Sequence, residues 1–232
     1  MITIIGTGHV FNISEQIMFL VKQIWPQAVL VELDEKRLKA MESPETVTGQ
    51  EEVKLPWIYR STARYQARMS KKYGTRTGNE LLTAVQVGRL VGAEIGTIDM
   101  DVAKLTNDMW ADMSFAERTR YTVSTFMDRF GGKKRVEKAV ENLTESQDKT
   151  IETMRRRYPT LVRYLIDKRN QFMIEQIIPY VDRLENVVIV VGDFHVEGIA
   201  EGLTGREIKK IRLGDILNKD SLDRIKAEVW NG

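Results

Sequence analysis

Short, continuous runs of apolar residues alternate along this chain with longer segments whose apolar residues recur at helical spacing. The runs at 2–5, 28–33, 94–98, 187–191 and 210–213 predict strands. Between the first two runs, Ile17, Leu20, Val21 and Ile24 lie on one face of a predicted helix. Strands without polar alternation are typical of a parallel sheet covered by helices on both faces. We therefore expect an α/β fold with a mainly parallel central sheet of about four to six strands, flanked by helices.

The segment 102–182 differs from the rest of the chain because its pattern is helical throughout. It indicates several amphipathic helices, with a break at Gly131-Gly132. We expect a single α/β domain over residues 1–232, with 102–182 as a large helical insertion. An amphipathic block of this size often buries its apolar stripe against a second copy, so a homodimer is expected.

The chain contains two histidines, and each ends the same short motif after a predicted strand. The motifs are Gly6-Thr7-Gly8-His9 and Gly192-Asp193-Phe194-His195. Imidazole is the usual neutral metal ligand and titrates near neutral pH. Because ligands bind at the carboxyl ends of the strands in such sheets, we expect both histidines in one site. The alternative is that the glycines serve only a turn with positive φ and the histidines are incidental.

Acidic residues also follow the predicted strands. Glu32 ends one apolar run, and Asp99 and Asp101 follow the next. A carboxylate in this position is costly to bury unless it is paired or binds a metal. The alternatives are an ion pair of Glu32 with Arg37 or Lys36, and a turn or cap role for the two aspartates.

Arg169 lies on an apolar helical stripe, where a charge needs a partner. The stripe comprises Met154, Tyr158, Leu161, Leu165 and Phe172. Arg169 is expected either to point into the pocket, where it would stabilise an oxyanion or hold a substrate carboxylate, or to form a buried pair with an acid such as Glu32.

The composition removes several classes of site. Without cysteine there is no disulfide and no thiolate, so any metal must be held by nitrogen and oxygen. The net charge of +2 gives no global field for nucleic acid, and no nucleic-acid partner is expected. Arg60, Arg64 and Arg68 form a basic row, which favours a solvated helix face over an anionic partner.

No apolar run is long enough for a membrane segment, so a cytoplasmic location is expected.

A dinucleotide site is the first competing hypothesis. Gly6 and Gly8 after a strand, followed by Glu32, imitate part of the dinucleotide-binding fingerprint. Phe11 occupies the position of the third glycine, where a ring would block close approach of helix and phosphates. The sequence therefore disfavours this hypothesis.

Several ordered motifs together resemble the TraB, or PrgY pheromone-shutdown, family, within a wider group that includes the Tiki metalloproteases and erythromycin esterases. The blocks that carry the resemblance are 4–10, 29–34, 78–81, 92–99, 167–170 and 190–199. The resemblance covers nearly the whole chain. It alone brings Glu80 into the candidate site, because Thr77-Gly78-Asn79-Glu80 also fits a helix capping box.

The resemblance implies a metal-dependent hydrolase, of peptidase type, acting on a peptide or a small molecule. The metal ligands would be His9, His195, Glu32 and Glu80, and nitrogen and oxygen ligands alone do not choose among Zn, Mn and Co. Glu32 or Glu80 would take a proton from water, and Arg169 would stabilise the oxyanion. Two alternatives stay open: a metal-free hydrolase with His9 as general base, and a protein that binds or sequesters a peptide or pheromone without cutting it.

Overall fold

A five-stranded, all-parallel sheet forms the centre of the protein. The computed structural model describes residues 1–8, 11–43, 78–128 and 147–230. The strands are β1 (Ile2–Thr7), β2 (Ala28–Val31), β3 (Glu94–Thr97), β4 (Val187–Gly192) and β5 (Ile208–Ile211), in the order β3-β2-β4-β1-β5. The predicted α/β fold with a parallel sheet is confirmed.

Helices and turns connect the strands. The helices are α1 (Ser14–Ile24), α2 (Glu35–Glu42), α3 (Asn79–Leu90), α4 (Val102–Asp112), α5 (Phe115–Asp128), α6 (Gln147–Arg157), α7 (Pro159–Val162), α8 (Arg169–Val181), α9 (Val196–Gly202), α10 (Leu213–Leu217) and α11 (Lys219–Trp230). A π-helical turn, Arg163–Lys168, joins α7 to α8, and a 3-10 turn, Asp193–His195, follows β4.

The strands are apolar throughout because both faces of the sheet are covered. Val29 and Val31 of β2 pack into a core with α1, α3 and α10, while Leu30, between them, packs on the other face. There α8 contributes Met173 and Ile177. Side chains of successive strand residues alternate between faces, so a sheet with two cores needs apolar residues at every position.

The predicted helical segment divides between two cores. Helix α8 packs against the sheet. Helix α4, helix α7 and the π-helical turn form a separate core that contains Leu105, Met109 and Tyr164. The predicted break at Gly131-Gly132 lies outside the described residues, as do the basic row of Arg60, Arg64 and Arg68 and the first histidine, His9. The insertion boundaries and the homodimer stay predictions.

Strands β1 and β4 extend beyond their apolar runs because they pair with each other to the end. Gly6 lies opposite Val191, and Thr7 lies opposite Gly192. The two glycine motifs therefore begin at equivalent positions on neighbouring strands. A Cβ added to Gly6 would overlap the Asp193 carboxylate, with its Cγ at 2.8 Å. Glycine at position 6 thus makes room for an acid of the other motif.

The Asp193 carboxylate has no freedom to move away. Its Oδ1 accepts from the Leu213 backbone N–H at 2.8 Å and from Arg212 Nε at 3.1 Å. Oδ2 accepts from Arg212 Nη2 at 3.2 Å, and Asp193 is buried. Asp193 therefore ties the turn after β4 to the start of α10.

Gly6→Ala should destabilise the protein by about 1–3 kcal/mol, because the new methyl group meets a fixed, buried carboxylate. Denaturant unfolding measures this loss. The control is the same substitution in an Asp193→Ala background, where the loss should be smaller because the clashing group is gone. Equal losses in both backgrounds would contradict the account.

Candidate functional site

Three neighbouring strands deliver polar side chains to one edge of the sheet. Asp99 follows β3, Glu32 follows β2 and His195 follows β4, in the spatial order β3-β2-β4. All three residues are buried, with 5%, 4% and 3% of their surface exposed. The expected convergence of strand-end residues is confirmed for these three side chains.

The side chain of Arg169 forms hydrogen bonds with all three groups. It is the first residue of α8 and directly follows the π-helical turn. Its Nε and Nη2 donate to the two Asp99 oxygens at 2.9 and 2.8 Å, and Nη2 also donates to Glu32 Oε1. Nη1 donates to His195 Nε2 at 3.1 Å. The predicted buried pair with Glu32 is present, and Asp99 shares it.

Burial and charge act against each other within this cluster. Desolvation alone would lower the pKa of Arg169, but Glu32 and Asp99 outweigh it and raise that pKa above its ordinary value. Burial raises the pKa of Asp99, and the Glu32 carboxylate adds to this effect, although Arg169 and Arg37 oppose it. The guanidinium therefore stays charged, and the carboxylates depend on it for compensation.

The hydrogen bonds of His195 define its tautomer. A guanidinium has no acceptor, so His195 Nε2 must accept from Arg169 and carry no proton. Nδ1 lies 2.6 Å from Asn170 Oδ1 and therefore carries the proton of the neutral ring. Glu32 Oε1 lies 3.7 Å from the same Nε2.

Glycine at position 192 leaves space for Glu32. The Gly192 N–H donates to Glu32 Oε2, and a Cβ added to Gly192 would lie 3.1 Å from that oxygen. Neither Gly6 nor Gly192 is among the positive-φ glycines of the described chain. The alternative interpretation, in which the motif glycines serve a turn with positive φ, is therefore wrong for both. Each glycine instead accommodates a buried carboxylate.

The alternative partners proposed for Glu32 are also wrong. Arg37 donates to Asp99 at 3.3 Å, and Lys36 pairs with Asp101 at 3.2 Å on the surface. Asp101 caps α4 by accepting from the backbone N–H groups of residues 103 and 104. The cap role predicted for Asp101 is confirmed, whereas Asp99 belongs to the cluster.

Glu80 is buried in the first turn of α3, which packs against β2. The cap of this helix is Gly78, with φ of 82°. Thr77, the cap of the predicted capping box, lies outside the described residues. The proposed role of Glu80 in the site stays a prediction.

The region expected to bind phosphates in a dinucleotide-binding protein is filled by side chains. The backbone N–H of Phe11 donates to the Gly8 carbonyl at 3.0 Å. A Cβ on Gly8 would meet Leu213 at 2.7 Å and the Phe11 ring at 3.1 Å. These contacts occupy the space that a pyrophosphate needs next to the glycine backbone.

The donor chemistry of the cluster suits a divalent ion, because His195 offers an unprotonated Nε2 and Glu32 a carboxylate. The number of ligands falls short: the described residues contain no group of three or more His, Asp or Glu placed to hold a metal. Arg169 also bonds to both donors. A metal site therefore requires a ligand from outside these residues, and His9 is the ligand that the sequence predicts.

The architecture and the cluster together define a class of protein: a parallel α/β domain with a buried carboxylate, guanidinium and imidazole site at the carboxyl ends of its strands. Residues 1–205 match the model of the TraB/PrgY/gumN family, and the chain belongs to this family. An uncharacterized protein of Methanocaldococcus jannaschii is 24% identical over 238 residues, covering 97% of this chain. The chain spans only 57% of that relative's length. No described helix has both the length and the apolar character needed to cross a membrane.

Arg169→Met should destabilise the protein by about 3–5 kcal/mol at neutral pH, because it leaves two buried carboxylates without their shared cation. In the variant, burial raises the Asp99 pKa unopposed by Arg169. The penalty is complete above that folded-state pKa and declines as the pH falls from it toward the pKa of an unfolded aspartate. Denaturant unfolding near pH 7 and near pH 5 should show a smaller loss at the lower pH.

Arg156→Met is the matched control, because Arg156 forms an exposed pair with Glu152 at 3.2 Å. It should cost less than about 1 kcal/mol at either pH. A loss of similar size for Arg169→Met would contradict the importance assigned to the buried cluster.

Proposed function

We propose that the protein is a metal-dependent hydrolase of amide or ester bonds, with peptides as the favoured substrates, and that the Glu32, Asp99, Arg169 and His195 cluster is its catalytic site. The observation that carries the proposal is the unprotonated Nε2 of buried His195 beside the Glu32 carboxylate. Buried ionisable groups assembled at the strand carboxyl ends favour a functional site over a purely structural one.

His195 Nε2 would hold the ion together with His9, and Glu80 is the further ligand that the family resemblance implies. A bound Zn, Mn or Co ion supplies a water molecule of lowered pKa. To become a ligand, His195 must lose its bond to Arg169 Nη1. Arg169 remains anchored during this change, because Nε and Nη2 keep both bonds to Asp99.

Glu32 acts on the water in this proposal. Its Oε2 is fixed by the Gly192 N–H, so Oε1 has a defined orientation and would take the proton as the water attacks the carbonyl carbon. Glu32 would then pass this proton to the amine or alcohol that leaves as the C–N or C–O bond breaks. Arg169 Nη1, released from His195, donates to the carbonyl oxygen as that oxygen becomes negative. Asp99 keeps the guanidinium in position through two parallel hydrogen bonds.

One observation favours a second candidate, a hydrolase without metal. In the described residues the cation between Glu32 and His195 is the Arg169 guanidinium, and no group of three acidic or histidine ligands is present there. A histidine would then act directly as the general base on water. The test must therefore separate dependence on metal from dependence on the cluster.

The test uses tag-free protein that is stripped with a chelator and then reloaded separately with Zn, Mn and Co. Bound metal is measured by elemental analysis, and hydrolysis is screened with mixed peptides and simple esters. We expect close to one ion per chain and turnover only after reloading. Glu32→Gln should lower kcat by about 10²–10⁴-fold while metal and peptide still bind. The exposed acid Glu94, which pairs with Arg183, provides the control Glu94→Gln, which should leave kcat unchanged.

Each contrary outcome identifies a different error. Turnover that survives chelation and still requires Glu32 would reject the dependence on a metal and support the hydrolase with a histidine as general base. Peptide binding without turnover after loading with any of the metals would reject the hydrolase and support a peptide- or pheromone-binding protein. Unchanged turnover in Glu32→Gln would remove the cluster as the catalytic site.

A further inference from the structure

We propose that Asn170 is a positioning residue that holds His195 as the tautomer with its proton on Nδ1, so that Nε2 remains the lone-pair nitrogen of the site. This inference rests on the proposed function in one respect, namely that the site uses Nε2. The hydrogen-bond geometry that supports it is independent of any substrate or metal.

Two consecutive residues of α8 hold the imidazole from both sides. Arg169 Nη1 donates to Nε2 at 3.1 Å, and Asn170 Oδ1 accepts from Nδ1 at 2.6 Å. Arg169 requires an acceptor at Nε2, and Asn170 provides the acceptor for the proton that must then be on Nδ1. The two contacts therefore select the same tautomer, which neither would fix as firmly alone.

The absence of a side chain at Gly198 leaves room for the Asn170 amide. A Cβ added to Gly198 would overlap Asn170 Nδ2 and would lie 3.1 Å from its Cγ. Gly198 belongs to α9, which directly follows the turn that carries His195, and α9 packs against α8. The amide nitrogen thus lies against the helix backbone while the amide oxygen faces the imidazole.

A histidine used through one nitrogen generally has its other nitrogen fixed by a hydrogen-bond partner, and loss of such a partner typically costs about 10–100-fold in activity or metal affinity. Without an acceptor at Nδ1, a neutral imidazole can move its proton to Nε2, where it cannot bind a metal or take a proton. Asn170 therefore acts through His195 and needs no contact with substrate.

The presence of only two histidines makes the tautomer directly measurable. Histidine labelled with ¹⁵N gives two sets of ring signals in chelator-treated protein, and His195→Ala identifies the set of His195. At one fixed neutral pH, wild-type His195 should show a protonated Nδ1 and an unprotonated Nε2. Asn170→Leu removes the acceptor at similar size and should weaken this pattern, because only Arg169 then selects the tautomer. Asn170→Asp keeps an acceptor and should retain the pattern.

Two further variants separate positioning from general damage. Gly198→Ala displaces the amide without removing its chemistry and should alter the His195 signals in the same way as Asn170→Leu. Gln171→Leu changes the next residue of α8, whose amide pairs with exposed Glu175, and should leave the signals unchanged. Thermal unfolding of every variant identifies any that fails to fold.

The proposal is overturned if wild-type His195 carries its proton on Nε2, or if folded Asn170→Leu and Gly198→Ala both keep the wild-type pattern. If turnover is found, Asn170→Leu should lower kcat by about 10–100-fold with a smaller effect on KM, and Asn170→Asp should recover part of it. The predicted tautomer without any turnover would confirm the positioning role and reject the hydrolase.

Discussion

The site depends on one buried guanidinium. Among the described residues, Arg169 is the one side chain that contacts Asp99 after β3, Glu32 after β2 and His195 after β4. Its side chain is 12% exposed, and those of its two carboxylate partners are at most 5% exposed. Buried ion pairs contribute little net stability compared with apolar packing, but breaking one leaves a costly charge. Such a cluster therefore determines the position of α8 on the sheet more than it increases the stability of the contact between them.

Buried carboxylates also explain the repeated glycine motif. In each motif a glycine lies against a carboxylate: a Cβ on Gly6 would overlap Asp193, and a Cβ on Gly192 would crowd Glu32. The first contact ties the turn after β4 to β1, and the second ties the end of β2 to β4. Because β4 lies between β1 and β2, the two contacts secure the central strands at the edge where the site forms.

The sequence was sufficient to predict the sheet and part of the site, because these follow from local patterns. Continuous apolar runs identify buried parallel strands, and the ends of such strands place Glu32, Asp99 and His195 at one edge. The position of Arg169 on an apolar stripe predicted that it needs an acid. A periodic pattern reports which face a residue occupies, and for these residues that information was enough.

The pattern does not report which partner a residue meets. Arg37 was one of the alternative partners for Glu32, but it reaches Asp99, 62 positions away. Asn170 stands in one of the blocks that resemble the family, 167–170, but the pattern did not indicate its role. That role depends on the π-helical turn before α8 and on the space next to Gly198. Contacts of this kind arise from tertiary packing and are invisible to periodicity.

We propose that the donors bonded to Arg169 form a site that can take up a cation. The most direct measurement is anomalous diffraction from crystals of the tag-free protein soaked in Mn²⁺. We expect one peak bonded to His195 Nε2, with Arg169 still bonded to Asp99 but no longer to His195. No peak at the cluster at full soaking, with the Arg169 to His195 hydrogen bond intact, would contradict it.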